Sequence, residues 1–134
     1  MIWNEKYETG NTQVDNEHKE IFKLAQNVIE ASFDSEEVQI EVALGFLASY
    51  TITHFKNEER LMMESDYPDM AVHKKQHDDF IIEVTALIER VKKESDTSKN
   101  NSDAKKVIVN WLTDHVLGSD KVMADHYRKW SSKA

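Results

Sequence analysis

The sequence predicts an all-α protein: an up-and-down antiparallel four-helix bundle with an extended N-terminal arm and a short C-terminal helix. Apolar residues recur at spacings of three and four along four separate segments, as in helices that each bury one stripe. Only three glycines and one proline interrupt the 134 residues, too few for a turn-rich β protein. Much of the rest is Glu, Lys, Leu, Met and Ala, which are good helix formers.

Residues 1–134 are read as one domain, of which about the first fifteen form the arm. Ile2, Trp3 and Tyr7 are the residues by which that arm would pack on the bundle. Asp15 is the expected cap of a first helix whose stripe is His18, Ile21, Phe22, Ala25, Val28 and Ile29. Asp34 with Glu37 resembles a capping box. It opens a second helix, reaching about Glu64, with Ile40, Leu44, Leu47, Thr51, His54, Glu58 and Leu61 on one face. Pro68 suits the first position of a third helix, where a missing N–H costs nothing. That helix turns Met70, His73, His77, Phe80, Ile81, Val84, Leu87, Ile88 and Val91 inward. The run KKESDTSKNNSD, Lys92 to Asp103, is polar throughout and reads as a solvated loop with a frayed helix end on one side. Ser102 or Asp103 would then cap a fourth helix carrying Ala104, Ile108, Trp111, Leu112 and His115 inward, and a last amphipathic piece runs from Gly118 through Trp130.

Charge and composition narrow the function. Seventeen basic against twenty-five acidic residues give a net charge of −8, which opposes binding to nucleic acid or to an anionic lipid surface. Cysteine is absent and Met1 to Gly10 is charged rather than apolar, so a cytoplasmic protein without disulfides or secretory signal is expected. No apolar run approaches the roughly 18 residues of a membrane span.

The informative anomaly is the placement of histidine. Five of the six, His18, His54, His73, His77 and His115, fall on stripes that should be apolar, and Glu58 joins them. An unpaired buried imidazole or carboxylate costs several kcal/mol, so six such groups in one core call for something that satisfies them, and a metal would. His54 with Glu58, and His73 with His77, are four apart and so share a helix face. Each pair alone also fits an ordinary hydrogen bond or a polar face, and His18 alone also fits a core or capping histidine; the coincidence on facing stripes favours ligands. Asp120 lies five residues after His115, about 140° round a regular helix, and so faces solvent unless Gly118 permits a π-bulge or a change of direction. Glu59, about 100° from Glu58, is expected to face away from the axis.

Together the segments VDNEHKEIF, THFKNEERLM, YPDMAVHKKQHDDF and WLTDHVLGSD, with the Trp3 and Tyr7 arm, resemble the hemerythrin family, in particular its single-domain bacterial members, the bacteriohemerythrins. The resemblance spans nearly the whole chain. It implies two iron ions with an oxo or hydroxo bridge: His73, His77 and His115 on one, His18 and His54 on the other, Glu58 and Asp120 bridging both. It also implies an oxygen pocket walled by Ile21, Phe55, Trp111, Leu112 and Val116, and leaves His126 as a surface residue. With one bridging oxygen the first iron has six ligands and the second five, so the vacancy on the second is where dioxygen would bind reversibly and where small anions such as azide would inhibit. The imidazole and carboxylate donors suit iron. No side-chain acid stands among the pocket walls, so a carrier rather than an enzyme is expected, with any protein partner unspecified.

A diiron enzyme on the same site, an oxidase, peroxidase or nitric-oxide-handling protein, is the alternative. Ferritin-like enzymes use Glu-x-x-His pairs, and none occurs here. A zinc hydrolase of the His-Glu-x-x-His type lacks its motif, and a metal-free interaction module leaves the five stripe histidines unexplained.

Overall fold

The structure, a computed structural model, describes residues 2–33, 37–93 and 97–133. A 3-10 turn, Glu5–Tyr7, precedes α1 (Thr12–Phe33), α2 (Glu37–Glu64), α3 (Met70–Lys93) and α4 (Thr97–His115). A π-helical turn, Val116–Asp120, then leads into α5 (Lys121–Ser132), and no strand occurs among the described residues. No described helix is long and apolar enough to cross a membrane.

Helix α1 packs on α2 and α4, and α3 packs on the same two, so the four close a ring in chain order. Their directions can be read from the core. A main apolar cluster holds Phe22, Leu47, Leu87 and Ile108, and a smaller one at the other end holds Val14, Leu61, Met62 and Met123 with Met70 against it. Between the two lie His18, His54, Glu58, His73, His77, His115 and Asp120. The chain passes from the small cluster to the large one along α1 and α3, and from the large to the small along α2 and along α4 into α5, which is the up-and-down order. Burial of each large apolar side chain contributes about 1.5–3 kcal/mol, and every stripe residue expected from α2 is buried.

Several element ends differ from expectation. Asn11, rather than Asp15, caps α1: its side chain accepts the backbone N–H of Val14 at 3.0 Å. Asp15 lies one turn in and accepts from the backbone N–H and the hydroxyl of Thr9 at 2.9 and 2.8 Å, which pins the arm to the helix. Tyr7 is buried edge-on against Phe22 and Trp3 is half covered beneath the Lys19 ammonium, but Ile2 is exposed and does not join the packing. The Asp34 capping box lies outside the described residues. Helix α2 ends at Glu64 as expected, with Asp66 in the left-handed region at φ 52°. There the N–H of Tyr67 bonds the Met62 carbonyl at 2.9 Å, which satisfies a terminal acceptor, and Tyr67 packs on the cluster containing Met62. Pro68 sits in the turn from Tyr67 to Met70, ahead of α3 rather than within it, where its lack of an N–H is equally harmless.

The described part of the expected loop from Lys92 to Asp103, residues 92–93 and 97–103, is helix, and the rest of it lies outside the described residues. Helix α3 continues to Lys93 and α4 begins at Thr97, ahead of both proposed caps. No glycine or proline breaks the run, and Ser, Asn, Asp and Lys lie within about 0.7 kcal/mol of alanine in helix propensity. Anchoring of Ile108 and Leu112 in the core is then enough to extend the helix past its buried part. The side chain of Ala104 lies outside the described residues.

His126 is not a free surface residue. It is half buried, its Nε2 donates to the Ser65 carbonyl at 2.8 Å, and its ring lies beside Tyr67, so it fastens α5 to the α2–α3 turn. Replacing His126 with Ala should lower stability by about 1–2 kcal/mol through the lost bond and contact. Denaturant unfolding checks this, and a variant as stable as the parent would contradict it.

Candidate metal centre

Seven polar side chains meet in the layer between the two apolar clusters, each between 0 and 5% exposed. His18 comes from α1, His54 and Glu58 from successive turns of α2, His73 and His77 from successive turns of α3, and His115 from the end of α4. The seventh, Asp120, depends on the π-helical turn. A π turn carries one more residue than an α turn, so five residues after His115 the chain faces the bundle again, and Asp120 is buried instead of facing solvent. Gly118 is not the reason. A Cβ there would meet nothing within 4 Å and its φ is not positive, so glycine's freedom is unused. The Ser119 hydroxyl fastens the turn to α3 by donating to Gln76 at 2.7 Å.

The two carboxylates divide the histidines into two groups. Glu58 turns Oε1 toward Nε2 of His77 and His73, at 3.0 and 3.4 Å, and Oε2 toward Nε2 of His54 and His18, at 3.0 and 3.5 Å. Asp120 turns Oδ1 toward Nε2 of His115 and His73, at 2.9 and 3.0 Å, and Oδ2 toward His18 at 2.9 Å. Two donor clusters follow: Glu58, Asp120, His73, His77 and His115; and Glu58, Asp120, His18 and His54, with the ligand atoms of each within 4.8 Å of one another. All five Nε2 atoms, both Glu58 oxygens and Oδ1 of Asp120 are buried without a well-formed hydrogen bond. Orphaned polar atoms of this kind cost too much to persist unless another group satisfies them. Two cations sharing the carboxylates fit the arrangement.

The residues expected to wall an oxygen pocket adjoin this layer. Phe55 lies flat on His77 with ring centres 3.8 Å apart, and Trp111 lies on His115 at 4.2 Å. Ile21, Leu112 and Val116 are buried together in the main apolar cluster, and Trp111 touches both that cluster and the one containing Phe55.

Residues 9–127 match the family described as Hemerythrin HHE cation binding domain. The chain belongs to the hemerythrin family. It is 29% identical over 128 residues to a bacteriohemerythrin of Pseudomonas aeruginosa, a match covering 96% of this chain and 82% of that one. It is 28% identical over 123 residues to the bacteriohemerythrin of Methylococcus capsulatus, covering 91% and 92%. A hemerythrin-like protein of Naegleria gruberi is 30% identical over 119 residues, covering 88% and 86%.

Sequence reasoning missed the carboxylates just outside this layer. Glu59 does not face away: Oε2 lies 3.0 Å from Nδ1 of His77. Glu17 lies 2.7 Å from Nδ1 of His54, thirty-seven residues distant in the chain. Helical spacing gives the face a residue occupies but not whether a neighbouring helix brings a ring within its reach, and the only signal was an acidic residue next to a candidate ligand in each case.

With protons as the only cations in the centre, burial drives the imidazoles down, but the carboxylates beside them outweigh it. His18 and His73 rise to about 9 and His54 to about 10. Burial pushes Glu58 up, and burial with the Glu58 charge pushes Asp120 up, yet the surrounding imidazoles hold both well below the usual carboxylate range. A histidine pKa raised by folding stabilises fully below the unfolded value of 6.5, and that contribution is lost as pH rises through about 9 to 10. The depressed carboxylates stabilise above their ordinary values, 4.5 and 3.8, and lose that contribution as pH falls. Metal-free protein should therefore be most stable between about pH 4.5 and 6.5, declining on either side. Thermal unfolding in chelator across the pH range checks this; a flat profile from about pH 6.5 to 10 would contradict it.

Proposed function

We propose that residues 1–134 form one hemerythrin-like domain that holds two iron ions, with an oxo or hydroxo bridge, and binds dioxygen reversibly at the ion with fewer protein ligands. The observation that carries this is the unequal division of histidines around two shared carboxylates. His73, His77 and His115 would bind one iron, His18 and His54 the other, and Glu58 and Asp120 both. One position then has five protein donors and the other four, which leaves room for an external molecule at the second. Imidazole with carboxylate oxygen suits iron better than sites built only of thiolate or only of oxygen. Iron bound there supplies the electrons that dioxygen needs to bind and recovers them on release.

The chain's own part is to orient and to keep dry. Five Nε2 atoms converge from fixed helical positions, so little reorganisation is needed on binding. Ile21, Phe55, Trp111, Leu112 and Val116 include no side-chain acid to protonate a bound ligand, and so favour release over bond cleavage. That favours a carrier over an enzyme. Small anions such as azide would compete for the open position.

The test is an iron count with optical spectra under nitrogen, then air, then nitrogen. About two irons per chain and a visible band that appears in air and vanishes under nitrogen are expected. Zinc in place of iron, or bleaching after one cycle, would contradict carriage of oxygen.

Leu112, 2% exposed and one turn before His115, is the proposed barrier to water and anions. Leu112→Ala should hasten oxidation in air and tighten azide binding, because a cavity replaces an apolar plug. A variant about 2–5 kcal/mol less stable but with parental oxidation and azide affinity would make Leu112 an ordinary core residue.

A further inference from the structure

The five candidate histidines present Nε2 to the centre, but their outward nitrogens are treated unequally. Nδ1 of His54 lies 2.7 Å from Oε1 of Glu17, and the other oxygen of Glu17 accepts from the side-chain amides of Asn57 at 2.7 Å and Gln13 at 3.4 Å. Nδ1 of His77 lies 3.0 Å from Oε2 of Glu59. Nδ1 of His18 and of His73 is buried with no hydrogen-bond partner among the described residues. The Glu17 and Glu59 side chains are only 16% and 20% exposed, so both contacts are largely shielded from water. An ionised carboxylate can only accept, so each paired ring must carry a proton on Nδ1, which reserves Nε2, once it gives up its own proton, for a metal in the centre.

We propose that Glu17 and Glu59 are positioning residues, one for each metal, and that Glu17 governs the two-histidine position. This rests on the two-iron assignment above. Glu17 fixes the orientation and tautomer of His54, one of only two imidazoles at its position, and is itself held by Asn57. Glu59 does the same for His77, one of three, so its loss leaves two imidazoles in place. A carboxylate on the outer nitrogen also raises the basicity of the ligand ring. The carboxylates thus set separate affinities for the two ions, and the position meant to stay open to an external molecule is the one that relies most on a single brace.

The experiment compares wild type, Glu17→Ala, Glu17→Gln and Glu59→Ala by anaerobic Fe(II) titration of the full chain against a chromophoric chelator. Wild type must take up two ions, and failure there refutes the two-iron assignment rather than the role of Glu17. Glu17→Ala should weaken one ion about 10- to 100-fold and leave the other within about threefold, and Glu59→Ala should cost less. Glu17→Gln keeps an acceptor for Nδ1 and should recover much of the loss. NMR of the zinc-loaded protein should show a slowly exchanging Nδ1 proton on His54 in wild type and Glu17→Gln, absent in Glu17→Ala. If Glu17→Ala does not fold, Asn57→Ala replaces it and should speed exchange of that proton. Unchanged affinities in the alanine variants, or equal weakening of both ions with a parallel fall in metal-free stability, would overturn the proposal.

Discussion

Everything in this bundle is arranged around the cost of burying seven titratable groups in one layer. Five imidazoles and two carboxylates, none more than 5% exposed, sit where a four-helix bundle would otherwise place leucine. An uncompensated buried charge costs several kcal/mol, against a total stability of only about 5–15 kcal/mol for a domain. Such a layer is tolerable only if the groups satisfy one another or share cations. The apolar clusters pack on either side of it, and the helix periodicity puts His54 and Glu58 one turn apart on α2 and His73 and His77 one turn apart on α3, so the spacing of these groups is built from the backbone.

The π-helical turn follows from the same constraint. An α-helical continuation of α4 would send Asp120 to solvent, which hydrates it at no cost but leaves His115, His73 and His18 without the carboxylate that now faces them. One extra residue in the turn brings it in. Since Gly118 meets no steric demand, the turn is held by what its ends contact: Asp120 among the imidazoles, Val116 in the apolar core and Ser119 on Gln76.

Much of this was legible in the sequence because helical burial is periodic. The stripes of α1 and α2 were readable to the residue, and the misplaced histidines announced a site before any geometry was known. The polar run after Lys92 was not legible, because a solvated loop and a solvated helix have the same composition when no glycine or proline intervenes. The cap of α1 was misread because Asn11 and Asp15, both good caps, stand one turn apart. Asp120 was legible only through the family resemblance, since regular spacing argued against it. Glu17 and Glu59 were invisible for a different reason: their contacts are made between helices, and one chain read alone carries no record of which side chains meet.

The central claim is that these seven side chains hold two metal ions that share Glu58 and Asp120 and differ in histidine count. Anomalous diffraction at the iron edge from crystals of the iron-loaded protein tests it most directly. Two adjacent iron peaks are predicted, one against His73, His77 and His115, the other against His18 and His54, with a Glu58 and an Asp120 oxygen on each. A single peak, or a second iron lying outside this layer, would contradict it.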